Sequence, residues 1–220
     1  MTKIVLYVLN NMRIKAYIFV VLALFLILMP LAAEAKDDSG QSREYQIKAA
    51  FLYNFIKFVD WPKEKMADSN EPIIIGIIGK DPFGDALDPV KDKQAKGKKL
   101  VIKRFKGFEE LKKSSEKDKS KLQRKIEALR KCHLLFICSS EKENFEQIIE
   151  TLEGSSVLTV EETAGFLESG GIINFIIEDK KVRFEINVAA AKRARLKIRS
   201  QLLRLAKRVV REKPSDGAEN

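Results

Sequence analysis

Pro72-Ile73-Ile74-Ile75-Gly76-Ile77-Ile78 is a continuous apolar run built almost wholly of β-branched isoleucine. A strand with one wet face alternates apolar and polar residues. This one does not, so it reads as a strand buried on both faces, as in a parallel sheet. Parallel strands need crossover connections, so the run points to an α/β architecture. Cys132-His133-Leu134-Leu135-Phe136-Ile137-Cys138 is a second run of the same kind, and Val157–Val160 a shorter one. Gly97–Phe105 reads as a half-buried strand. Ile172–Ile177 and Lys181–Ile186 pair naturally as a hairpin over Glu178-Asp179-Lys180.

Helical signals lie between these strands. Ile47, Phe51, Phe55 and Phe58 recur at helical spacing in residues 44–60, and Leu52 and Val59 widen the stripe. Pro62 ends that helix near Asp60. Asp81 can cap a helix opening at Pro82 and covering roughly 82–90. Phe108–Leu111 can open another, and residues 112–125 read as a basic, solvated insertion that turns helical through Leu122, Ile126 and Leu129. Glu143–Leu152 is a helix stopped by Gly154. Val188–Val210 reads as a long closing helix with Ile198, Leu202, Leu205 and Val209 on one face. The expected fold is a three-layer α/β domain. Its sheet is largely parallel, of about six strands with a C-terminal β-hairpin, and helices cover both faces.

Lys48 is out of place in this pattern. At about 100° per residue it projects into the apolar arc of the first helix. Either its stem lies on apolar surface while the ammonium reaches water, or it is held for a specific carboxylate or ligand.

The chain start reads as an export signal. Arg13 and Lys15 precede the uncharged, mostly apolar stretch Ala16–Leu31, and Ala33-Glu34-Ala35 is a small-x-small cleavage site. Residues 1–35 are therefore assigned as a signal peptide, with Lys36 the mature start. Met12 is an alternative initiator, and an uncleaved anchor the alternative fate. Residues 36–43 read as a flexible lead-in, 44–212 as one domain and 213–220 as a disordered tail. Cleavage takes away three of the 41 Lys and Arg and one of the 31 Asp and Glu, leaving +8. An exported basic domain points to an acidic or membrane-proximal partner rather than nucleic acid, with contact to the membrane only indirect.

The motifs of common chemistries are missing from the sequence. Gly76 and Gly79 do not complete a dinucleotide fingerprint, and Gly79-Lys80 runs into Asp81 rather than Ser or Thr. One histidine without a nucleophile motif makes no triad. No spacing around His133 supports a metal site, so a hydrogen-bonded core or edge histidine is expected, with no metal and no cofactor. The two cysteines would stand about 20 Å apart at opposite ends of a strand, beyond the roughly 4.4–6.8 Å that a disulfide spans. Two thiols are expected. The carboxyl ends of the parallel strands, where ligands favour α/β sheets, fall at Gly79-Lys80, Ser139-Ser140 and Glu161-Glu162.

Four segments taken in order resemble one family. Lys48-Ala49-Ala50-Phe51-Leu52 with Asn54-Phe55 and Trp61-Pro62 is similar to the opening motif of the YfiR family. Cys132–Ile137, then Gly165-Phe166 with Gly170-Gly171-Ile172-Ile173-Asn174-Phe175, then Arg183-Phe184-Glu185-Ile186-Asn187 resemble its later motifs. The resemblance implies a periplasmic, non-enzymatic repressor. Such a protein binds the periplasmic region of a membrane-bound diguanylate cyclase, and its release raises cyclic di-GMP and favours biofilm. A homodimer is a second partner expectation. The alternative is a periplasmic small-molecule-binding module feeding another membrane receptor. Lys48, Asn54 and Trp61, beside the Arg183–Asn187 strand, are expected to form the polar part of one surface or pocket, with His133 as a further binding candidate.

Overall fold

A computed structural model describes residues 38–68, 70–114 and 118–211. The expected signal peptide and the 213–220 tail lie outside them. The first helix, α1, is Asp38–Phe58. It thus begins inside the stretch expected to be a lead-in. The chain then runs through β1 (Val59–Asp60), β2 (Ile73–Ile78), β3 (Gln94–Ala95), β4 (Lys98–Phe105), α2 (Phe108–Lys113), α3 (Lys119–Arg130), β5 (Leu134–Ile137) and α4 (Phe145–Thr151). It continues with β6 (Leu158–Glu161), β7 (Ile173–Glu178), β8 (Lys181–Asn187), α5 (Val188–Arg193), β9 (Lys197–Ile198), α6 (Ser200–Leu203) and β10 (Arg208–Val210). The helix expected over 82–90 is only a 3-10 turn at Gly84–Leu87, with Asp81 accepting from the Phe83 amide.

The main sheet has the order β10-β8-β7-β6-β5-β2-β4-β3. β7, β6, β5, β2 and β4 pair in parallel, and β8 turns back antiparallel on β7. Asp179 and Lys180 both take positive φ, 50° and 58°. Such a turn has the twist that a two-residue hairpin needs. Burial on both faces follows the period of two along a strand. Ile73, Ile75 and Ile77 of β2, with Leu134 and Phe136 of β5, pack in the core that α1 covers. Ile78, Leu135 and Ile137 pack against α2, α3 and α4 through Phe108, Leu111, Leu129 and Phe145. The three layers are therefore those expected.

Two further sequence readings need correction. The inward face of α1 is Tyr45, Lys48, Ala49, Leu52, Phe55 and Ile56, followed by the buried Val59 of β1, and Ile47 is 40% exposed. The stripe is rotated, and Lys48 lies within it. The long closing helix does not form either. Asn187 caps α5 by accepting from the Ala190 amide at 2.9 Å, and Arg195 leaves helical space at φ 58°. The chain then pairs Ile198 with Val59 as β9 on β1, and Arg208 with Glu185 as β10 on β8. The end of α1 and the open edge of β8 both carry backbone groups that need partners. Serving them outweighs a continuous helix, and Leu205, expected inward, is 63% exposed. Among the described residues no helix is long and apolar enough to cross a membrane.

Candidate functional site

The sheet order puts β4 on one side of β2 and β5 on the other, so the crevice between β2 and β5 lies at a topological switch point. The chain fills this crevice itself. Glu141, only 5% exposed, accepts from the Phe108 amide at 2.9 Å, with Asn144 Nδ2 at 3.3 Å. Its carboxylate stands 2.7 Å from where a Cβ on Gly107 would be and 2.9 Å from one on Gly79. Gly79, at φ 101°, therefore serves a turn and a close approach rather than a phosphate cradle. The carboxyl end of β2 is a strand turn whose anion place is taken by the chain's own glutamate.

The open part of the strand-end crest lies further along, beside β6 and β7. Here α1 brings Lys48 to the turn after β6. Lys48 is 3% exposed and forms ion pairs with Glu44, one helical turn back, and with Glu162. The Tyr45 hydroxyl donates to the other Glu162 oxygen at 2.9 Å, and Lys48 Nζ lies 4.5 Å from the centre of the Tyr45 ring. Burial, then the Glu162 charge, pushes the Tyr45 phenol up, so it stays a donor. The second sequence reading of Lys48 is the one the geometry matches: a lysine held by specific carboxylates. A cleft of about 420 Å³ opens over this cluster, with Ser139, Thr163 and Phe175 also in its walls.

The other candidates fall in separate places. Trp61 and His133 are together: Trp61 Nε1 donates to the His133 carbonyl at 3.2 Å, and the rings meet edge-on at 6.0 Å. His133 Nδ1 accepts from the Ile74 amide at 3.1 Å, so this is a core histidine stitching β2 to β5. Asn54 lines a different cleft, of about 300 Å³, with Tyr53 and Pro89. Asn187 is buried as the α5 cap, and its Nδ2 donates to the Leu167 carbonyl at 3.0 Å. Arg183 is exposed on β8 opposite Ile176. One shared surface of Lys48, Asn54, Trp61 and the Arg183–Asn187 strand does not form. Cys132 and Cys138 are free, buried thiols, and burial raises Cys132 to about 12. Glu44 and Tyr45 were missed by sequence reasoning, and Glu162 was reached only as part of the Glu161-Glu162 strand end. The spacing of Glu44 and Lys48 at i,i+4 was a signal for one of them. The pairing of Glu162 with Lys48, 114 residues away, had none.

Two buried groups set opposite pH dependences. Burial first, then the Lys65 charge, lowers His133 from 6.5 to about 4. Its contribution to stability is present above pH 6.5 and lost as pH falls towards 4. Burial raises Glu161 from 4.5 to about 7, against the Thr163 hydroxyl and amide that bond it. Its contribution is full below pH 4.5 and lost as pH rises through 7. Glu161→Gln removes the second effect alone. The variant should therefore gain stability relative to the parent as pH rises from 4.5 to 7, read by urea unfolding at a series of pH values. Parallel curves for the two proteins would exclude a raised Glu161.

The comparisons with known proteins bear on this geometry. The family model described as YfiR/HmsC-like matches residues 45–207, from the second residue of the Glu44–Lys48 turn to the loop before β10. The chain belongs to the YfiR/HmsC-like family. A YfiR/HmsC-like domain carries a regulatory, signalling theme rather than a known catalytic one. No match to a curated protein is found. Among solved structures, a conserved domain protein from Vibrio cholerae O1 biovar eltor is 11% identical, with a TM-score of 0.49, over 75% of this chain and 60% of that one. The ABC domain from Streptococcus pneumonia in complex with L-Trp is likewise 11% identical, with a TM-score of 0.49, over 76% of this chain and 60% of that one. This chain thus spans 60% of the length of each, a likeness too distant to speak to function.

Proposed function

We propose that this YfiR/HmsC-like protein is an exported binding protein that represses a membrane-bound diguanylate cyclase through the cyclase's periplasmic region, lowering cyclic di-GMP and biofilm formation. The observation that carries this reading is the family match over residues 45–207. Repression needs no catalytic group. It needs tighter binding to one conformation of the cyclase than to the other. Turning a mostly active population into a mostly inactive one takes a preference of roughly 5 kcal/mol. A few buried aromatic or arginine anchors in an ordinary interface supply that much.

The test is to delete the gene and restore it with and without residues 1–35 while intracellular cyclic di-GMP is measured. Cyclic di-GMP should rise on deletion and return only with the exported form. Unchanged cyclic di-GMP on deletion, with the cyclase expressed, would overturn the reading. A second reading, a periplasmic small-molecule-binding module, is favoured by one observation: the cleft over Lys48, Tyr45 and Glu162, where polar groups converge beside Phe175.

A further inference from the structure

The β6–β7 ladder stops early. β7 pairs with β6 only at Ile173 and Asn174, whereas its pairing with β8 runs on to Glu178. Among the described residues, Phe175–Glu178 therefore has no strand on its β6 side. Such an edge presents backbone N–H and C=O groups to another chain. Ile177, in this stretch, is 53% exposed, unusual for a large apolar side chain here.

Two clefts, of about 420 and 510 Å³, adjoin along this edge and share Glu162, Phe175, Ile176 and Ile177. Their charged walls are Glu44 and Glu162 with Lys48, and Glu168 and Glu185 with Arg208. Each cation already bridges two glutamates, Lys48 the first pair and Arg208 the second. Four carboxylates against two cations leave this groove acidic in a chain of net charge +10. Asn174 also lines the groove. It is 4% exposed, and its Oδ1 has no hydrogen-bond partner among the described residues. Buried acceptors are nearly always satisfied, so an orphan in a cleft wall points to a donor from outside.

We propose that this groove docks an extended, lysine- or arginine-bearing peptide segment of a partner protein. The segment adds a strand to the outer half of β7, in line with β6. Its backbone pairs with the free edge, its cations meet the glutamates, and a donor reaches Asn174. The chain's own residues 212–220 do not complement the groove, since they set one Lys against Glu212, Asp216 and Glu219. A second copy paired edge to edge would bring two acidic grooves together. The proposal does not rest on the cyclase reading, because its test measures peptide binding to the purified protein.

The probe is a fluorescein-labelled dodecapeptide of alternating Lys and Thr. Three controls accompany it: the Glu–Thr peptide, the Lys–Thr peptide N-methylated at alternate residues, and spermidine. The Lys–Thr peptide should bind saturably and slow amide exchange across 175–178. Ile177→Lys, a change at a half-exposed position, should weaken that binding at least about tenfold. The Glu–Thr and N-methylated peptides should not compete. The proposal is overturned if the Lys–Thr peptide fails to bind, or if spermidine or the N-methylated peptide competes equally, which would make it a site for charge alone. Undiminished binding by Ile177→Lys overturns it too. So does a parent dimer that Ile177→Lys dissolves, since the occupant is then a second copy.

Discussion

Phe55→Ala should lower the free energy of unfolding by about 3–5 kcal/mol. Phe55 is fully buried where α1 crosses the sheet, with its ring 5.6 Å from Phe175 and 5.1 Å from Phe184. Truncation loses the burial of the ring and leaves a cavity between β7, β8 and α1 that Phe175, Phe184 and Phe51, whose ring lies 6.0 Å away, cannot close. The contrast is Ile47→Ala. Ile47 is apolar and at helical spacing with Phe51 and Phe55, but it is 40% exposed, so the change should stay within about 0.5 kcal/mol. Urea unfolding of both variants fixes the phase of α1. Equal losses at the two positions would mean that the helix is turned towards the stripe read from sequence.

Lys48→Met should cost about 3 kcal/mol. The ammonium is buried with Glu162, whose side chain is 12% exposed, and with Glu44, which is 32% exposed. Without it, Glu162 keeps only the Tyr45 hydroxyl as a donor among the described residues, and its other oxygen loses its partner in a poorly solvated place. Glu44 can still reach water, which holds the loss to the lower end for a buried pair. Adding Glu162→Gln should recover at least about 1 kcal/mol of the loss, the mark of residues that act through one another. Unfolding midpoints of the two single variants and the double variant give that coupling. A Lys48→Met protein within about 0.5 kcal/mol of the parent would mean that the ammonium already lies in water, with only its stem on apolar surface.

The main strands could be read from the sequence because their signal is local. Ile73–Ile78 and Leu134–Ile137 are apolar on both faces wherever their neighbours lie, and the six longest strands stand where composition put them. The misfit of Lys48 was legible for the same reason: a helix fixes which residues share a face. The phase of α1 was harder. Ile47 and Lys48 differ by one position, and hydrophobicity favours the wrong one until a carboxylate is near.

What the tertiary structure alone decided are the features that join distant parts of the chain. Residues 188–210 hold a sound helical period, yet they break into α5, β9, α6 and β10. The unpaired backbone of β8 and of β1 made a demand that no local window shows. Glu161-Glu162 could be read as a strand end and Asn174 as part of a motif, but the pairing of Glu162 with Lys48 and the unpaired oxygen of Asn174 were silent, because a partner more than 100 residues away and an acceptor without a donor have no spacing to betray them. Local period and composition determined the class of fold, the strands and the odd lysine. Long-range pairing decided the ends of the sheet, the burial of that lysine between two glutamates, and the open edge of β7, because hydrogen-bond and charge satisfaction are settled between elements, not within them.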